Sequence, residues 1–294
     1  MSGGESAAYV YALTRPFPAG AVRELRGVGE HPVRLVAEDD LVAVTSAVPL
    51  REYDEDALKA KLEDLDWLEA VARAHNRVVD EVARHAVTLP LRLATVYRGD
   101  DRVREMLRDG RHRFGAALSR LAGRVEWGVK VYADPAASSS APGPSGTPQT
   151  EARESPGKAY LRRRREQRQR RDDTWEQATG LVREVDEALR GLAEAREQHR
   201  PQHVRLTGER GENVLNAAYL VPAERSQPFL DAVARLRERA PGGTRIEVSG
   251  PWVPYSFASV ADEPAAETAG GAAGGPADAG RRAGAGGGPS EGAP

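Results

Sequence analysis

Seven arginines within residues 162–171, six histidines and a complete absence of cysteine set the range of chemistry open to this chain. Without thiols there are no disulfides, thiolate metal sites or cysteine nucleophiles, and a reducing compartment suits such a composition. The histidines are His31, His75, His85, His112, His199 and His203, and no pair stands in an HExxH-like arrangement. His199 and His203 are four apart, but Pro201 between them breaks the helix that a shared face would need. His75 falls on the apolar face of a helical pattern, where a core or boundary imidazole with one hydrogen-bond partner is the expected role. A catalytic imidazole would want a nucleophile or a carboxylate partner, and the sequence nominates none.

Phosphate chemistry fares no better. Gly157-Lys158 is followed by Ala159 where a Walker loop needs Ser or Thr, and Gly27-Val28-Gly29 lacks the third glycine of a dinucleotide fingerprint. No G-x-S-x-G elbow is present for a serine nucleophile. The many carboxylates sit on helix faces beside Arg and Lys, where i, i+4 pairing accounts for them. These residues predict a protein that is not an enzyme, with no catalytic, cofactor-binding or metal-binding residue and no cofactor; the residues of a protein-binding surface stay unassigned. The arginine run (Arg162 to Arg165, Arg168, Arg170 and Arg171) reads first as a solvated helix face. Asp172, Asp173, Glu176, Glu184, Asp186 and Glu187 offset its charge along the same helical stretch. An acidic protein partner is the second reading and a nucleic-acid-binding adaptor the last, since no aromatics interleave with the arginines to stack on bases.

The elements around these residues follow from composition and period. A length of 294 residues suits one large or two ordinary domains, and with a net charge of −2 no global bias toward nucleic acid or an acidic membrane exists. The N-terminus lacks the basic and apolar segments of a signal peptide, and no apolar run reaches the ~18–20 residues of a membrane helix. A cytoplasmic protein is expected. Residues 134–157 and 261–294 are rich in Pro, Ser, Gly and Ala and hold no large aliphatic residue. They predict a disordered linker or insertion and a disordered tail, because neither can bury enough surface to offset its ordering entropy.

Between them lie two patterned regions, 1–133 and 158–260. In the first, Tyr9–Leu13 is β-prone, Val33–Val36 and Leu41–Val44 read as a hairpin, and Leu65–Ala86 carries an apolar stripe at helical spacing. Leu91–Tyr97 reads as extended, Asp100-Asp101 as the start of one helix running to about Leu121, and Glu126–Tyr132 as a strand. In the second, Lys158 to about Arg200 is helical, with a narrow seam of Leu181, Val185, Ala188, Leu192 and Ala195 long enough for an antiparallel helical hairpin. A β-α-β pattern follows over Val214–Val221, Pro222–Ala240 and Arg245–Val248. The order of elements predicts an α+β fold, with helices layered on sheet faces. Trp127, Tyr219, Trp252 and Tyr255 read as core aromatics.

Seven strings without catalytic content remain: YVYAL at Tyr9–Leu13; Trp67-Leu68 with His75; Leu89-Pro90-Leu91-Arg92 with Thr95 and Tyr97; EWGVKV at Glu126–Val131; GKAYL at Gly157–Leu161; NVLNAAYLV at Asn213–Val221; and GPWVPYSF at Gly250–Phe257. Together and in this order the chain resembles the gas vesicle protein F/L family, accessory proteins of gas vesicle formation. One departure is Val253, where the family more often has a second proline. The resemblance implies two domains, an N-terminal ferredoxin-like α/β layer and a C-terminal α+β domain carrying the helical hairpin. It also implies a minor component that binds the major gas vesicle shell protein, with other gas vesicle accessory proteins as further partners and neither nucleic acid nor lipid membrane among them. The chain would then prevent aggregation of the shell subunit during nucleation, or be a permanent minor protein of the vesicle wall.

Overall fold

The computed structural model of the chain describes residues 6–53, 57, 61, 63–137, 156–200 and 211–258. Two antiparallel sheets organise them. The first begins with β1 (Ser6–Thr14), and the predicted hairpin appears as β2 (Val33–Glu38) and β3 (Leu41–Pro49) around Asp39-Asp40. After a short turn of helix, α1 (Leu50–Tyr53), comes α2 (Leu65–Ala83). Its N-cap is Asp64, whose carboxylate accepts from the amides of Asp66 and Trp67 at 3.1 Å each. The strands β4 (Thr88–Pro90) and β5 (Val96–Tyr97) both pair with β1, and the sheet order is β2-β3-β1-β4.

The sequence reading of Leu91–Tyr97 as extended is corrected here: the chain loops between β4 and β5, with Ala94 in the left-handed region at φ 63°. The helix expected over 100–121 is two helices, α3 (Asp100–Asp109) and α4 (Arg111–Leu121). They break at Gly110, where an added Cβ would lie 2.1 Å from the Phe114 ring. That ring fills the space a side chain would need.

The second sheet comprises β6 (Arg124–Ala133), β7 (Ala195–Gln198), β8 (Glu212–Pro222) and β9 (Thr244–Trp252), in the order β7-β8-β6-β9. Two helices cross over it, α5 (Pro156–Arg190) between β6 and β7 and α6 (Ser226–Arg239) between β8 and β9. The element order β-α-β-β-α-β with a central first strand is the split βαβ arrangement of ferredoxin-like folds. The first sheet has the same strand order, with 3₁₀ turns at Ala19–Val22 and Val28–Glu30 in place of the first crossover helix. β6, read from sequence with the region ending at residue 133, is hydrogen-bonded along its length to β8 and β9.

The helical hairpin expected after residue 158 is not formed among the described residues. The helix ends at Arg190 and the chain turns into β7, so α5 packs against α6 from across the sheet connection. The buried row on α5 is Ala178, Leu181, Val185 and Leu189, with Ala188 exposed. Most of the 134–157 segment and all of 261–294 lie outside the described residues.

Burial arranges these pieces in layers. Tyr9, Tyr11, Val44, Val78, Val79 and Val82 form the core between α2 and one face of the first sheet. Its other face (Ala8, Val10, Leu13, Val36, Ala43, Leu89) packs on α3 and α4 through Val103, Leu107, Phe114 and Leu118. The same core takes in Ala218 and Leu220 of β8 together with Phe257, so α3 and α4 lie between the two sheets. The far face of the second sheet, with Trp127, Val129, Leu215, Tyr219 and Val221, is covered by α5 and α6. A register shift between Val10 and Ala12 lets β1 turn Tyr9, Tyr11 and Ala12 toward α2 while Val10 and Leu13 face α3 and α4.

Candidate functional site

Four of the sequence strings meet at one buried polar cluster. β1 presents Tyr9 and Tyr11 to α2, and α2 presents His75, only 1% exposed, to them. The Tyr9 hydroxyl lies 3.0 Å from His75 Nδ1 and accepts the Ala94 amide at 3.0 Å. The hydroxyl and the imidazole share one proton in this contact, and the ring tautomer sets which of them donates it. Burial pushes His75 down to about 4, the Leu91 carbonyl acting in the opposite direction. The ring is therefore neutral through the physiological range. Burial also raises Tyr9 and Tyr11 above the ordinary phenol value, so both stay protonated. The Tyr11 hydroxyl donates to Ser46 at 2.9 Å and accepts the Val28 amide at 2.9 Å. An aromatic edge from Tyr255 completes the group, its ring 6.4 Å from His75 and its hydroxyl donating to Asn76 Oδ1 at 3.1 Å.

A second cluster, which sequence reasoning missed, joins Glu126, Ser256 and His199. Glu126 Oε1 accepts from Ser256 Oγ at 2.7 Å and Oε2 accepts from the Ser256 amide at 2.8 Å. His199 Nε2 lies 3.0 Å from the same Oγ. These are the residue types of a nucleophilic triad in the wrong order. In a triad the imidazole stands between hydroxyl and carboxylate. Here the hydroxyl stands between them and spends its proton on Glu126, so His199 has no hydroxyl proton to remove. Burial raises the Glu126 carboxyl above its usual value, with the two Ser256 hydrogen bonds pulling it back. The arrangement anchors the GPWVPYSF segment. The one available signal was a carboxylate inside the alternating strand EWGVKV, on a strand that has neighbours on both sides.

The remaining predicted residues scatter. Gly27 packs on the Tyr11 hydroxyl, its added Cβ falling 1.9 Å from Oη, and serves a turn beside β2. Gly157-Lys158 opens an exposed helix, and His203 is outside the described residues. Among the described residues no three His, Asp or Glu side chains are placed to hold a metal ion. An open depression of about 390 Å³ on α2 is lined by Arg73, Asn76, Arg77, Asp80, Glu81 and Arg84, a polar surface without an enclosed floor.

Of the four aromatics expected in the core, Trp127 and Tyr219 are buried. Trp127 stacks on Phe229 and Tyr219 donates to Asp186 at 3.0 Å. Trp252 and Tyr255 are instead 53% and 38% exposed. Trp252 closes β9, an outer strand of the second sheet that among the described residues pairs with β6 alone. No helix of the described residues is long and apolar enough to cross a membrane. Among the described residues the surface carries the outer edge of β9, the exposed Trp252 and Tyr255, and the charged helix α5.

A family model described as gas vesicle synthesis protein GvpL/GvpF matches residues 7–259. Gas vesicle protein L of a Streptomyces species is 50% identical over 260 residues, which cover 88% of this chain and 96% of that protein. Gas vesicle protein L2 of Halobacterium salinarum is 27% identical, covering 87% of this chain and 93% of its own length. The fold is shared with the crystal structure of gas vesicle protein GvpF from an Anabaena species, with a TM-score of 0.61 at 19% identity over 86% of this chain and 96% of that one. A match over nearly the whole described chain, together with a relative of this identity, places the protein plainly: it belongs to the GvpL/GvpF family of gas vesicle formation.

Proposed function

We propose that this chain acts as a gas vesicle assembly protein that binds the major shell protein and keeps it from aggregating while a vesicle is nucleated. The observation that carries the reading is the family relation across residues 7–259. A small shell subunit with apolar surface and open strand edges is an aggregation hazard until it enters a wall. A partner limits that hazard by covering the apolar face or by adding a strand to the open edge. The outer edge of β9, with the exposed Trp252 at its end, is a surface of the kind that strand addition uses. Such a protein works in the cytoplasm, at the growing vesicle, through binding energy alone and without catalysis. Other gas vesicle components are its natural further partners.

The test is light scattering of the major shell protein as it is diluted from denaturant, with this chain added. Protection that saturates at a fixed molar ratio, without ATP, is the expected result. No binding and no change in scattering at an equimolar ratio would remove the holding role. Retention of the chain on intact vesicles after a denaturant wash would then assign it to the finished wall.

A further inference from the structure

The arginine run, left as a solvated face by the sequence, sits on a part of α5 with no buried side chain among the described residues. Every described side chain from Gly157 to Asp173 is exposed, and burial begins only at Thr174. At a rise of 1.5 Å per residue this is an arm about 25 Å long, projecting past the end of the second sheet. Arg162 meets Glu166 and Arg171 meets Glu212 of β8, each at 3.7 Å. Arg163, Arg164, Arg165, Arg168 and Arg170 have no carboxylate partner among the described residues.

The charges are also sorted around the helix. At 100° per residue, Arg163, Arg164, Arg168, Arg170 and Arg171 occupy one face of roughly 160°. Glu166, Asp172 and Asp173 fall on the opposite side. The acid-free face is continuous with Thr174, Ala178, Leu181 and Val185, the row that packs on the second sheet. It thus continues, beyond Thr174, the side of α5 that faces the second sheet. Tyr160 and Leu161, 60% and 55% exposed, lie at the tip of this arm.

Left alone, the arm is an electrostatically poor helix. It buries no side chain, it places like charges at i, i+4 in Arg164 and Arg168, and it concentrates cations in the N-terminal turns. There the helix dipole favours anions. One kind of ligand relieves all of these together. We propose that the arm of α5 is a docking site for an acidic segment of a partner protein, bound along the Arg163–Arg171 face with its aliphatic side chains against Tyr160 and Leu161. A protein segment is favoured over nucleic acid on two grounds. The chain as a whole carries a net charge of −2, and a sugar–phosphate backbone has no use for Leu161. The site lies outside the shell-holding role, and its test contains no shell protein, so either can fail alone.

Fluorescence anisotropy of the full chain decides it, with three labelled probes: a peptide of about 20 residues alternating Glu with Leu at helical spacing, the same peptide with Gln for Glu, and a single-stranded RNA of equal length. The acidic peptide is expected to bind tightest, with affinity falling steeply as salt is added. R163E/R164E/R168E should weaken it at least 30-fold, while R163K/R164K/R168K keeps most of the affinity and R23E/R183E/R235E, placed elsewhere, leaves it unchanged. Far-UV circular dichroism confirms that each variant is folded. Equal binding of the Gln peptide, tighter binding of RNA, or an acidic-peptide affinity indifferent to reversal of the arm would each overturn the proposal.

Discussion

Tyr9 shows what a single side chain does in this molecule. Its hydroxyl bridges α2 and the loop after β4, meeting His75 Nδ1 and the Ala94 amide, both at 3.0 Å. Removing it in Tyr9→Phe leaves two buried polar groups without a partner, and a loss of about 1–3 kcal/mol in urea unfolding is the expected result. His75 adds a pH signature. It protonates at about 4 in the folded chain against 6.5 for a free imidazole. Between those values the unfolded chain binds the extra proton, so this group makes stability rise with pH from about 4 to 6.5 and stay flat above. Denaturation midpoints measured across that window should lose this slope in His75→Gln, a difference on the order of 3 kcal/mol at the acid end. The same slope in both proteins would show that the imidazole is not buried as described. At this scale the sequence was partly legible. The helical period placed His75 on an apolar face and implied one hydrogen-bond partner, which the structure supplies. That the partner is Tyr9 depends on the register of β1 against α2, and no spacing within either element encodes it.

At the scale of elements, caps and glycines carry the boundaries. Asp64 accepts two amides of the first turn of α2, and Asp64→Ala should cost about 1 kcal/mol in thermal or urea unfolding. Gly250 is more exacting. Its φ of 129° disfavours any side chain, and a Cβ there would stand 2.8 Å from the Glu126 carbonyl oxygen and 3.0 Å from Trp127 Cε3. Gly250→Ala should therefore cost at least about 2 kcal/mol, with the Trp127 fluorescence environment altered in the same variant. A neutral result would mean that β9 can shift away from β6. Whereas β3 runs five residues beyond the Leu41–Val44 reading, elements such as α2, β2 and β8 could be placed from sequence within a few residues. The break between α3 and α4 could not, because Asp100–Leu121 keeps a helical pattern and only the position of the Phe114 ring explains Gly110. Nor could the end of α5 at Arg190: the charged residues after it suit a helix, and pairing of β7 with β8 decides otherwise.

For the whole molecule, the two sheets share one strand order, yet residue identities show no repeat, since the first lacks a crossover helix where the second has α5. Topology of this kind arises from pairing between distant strands, which periodicity does not report. The α3–α4 layer binds the two halves together: Leu118 and Phe114 share a core with Leu13 and Leu89 of the first sheet and with Leu220 of the second. This arrangement makes a prediction about cooperativity. If the layer couples both sheets, circular dichroism and tryptophan fluorescence should follow one unfolding transition, since Trp67 reports on the α2 side and Trp127 on the second sheet. Leu118→Ala, at a site 1% exposed, should lower that single midpoint by the equivalent of about 2–5 kcal/mol without splitting it. A fragment of residues 1–133 should fold poorly, because it carries β6 without β8 and β9 and exposes the α3–α4 face that Ala218, Leu220 and Phe257 cover. Ending the fragment before Arg124 removes the orphan strand but leaves that face bare, so it should aggregate less than 1–133 and still be less stable than the full chain. Two well-separated transitions, or a 1–133 fragment as stable as the intact protein, would show that the halves fold independently and that the shared layer adds nothing.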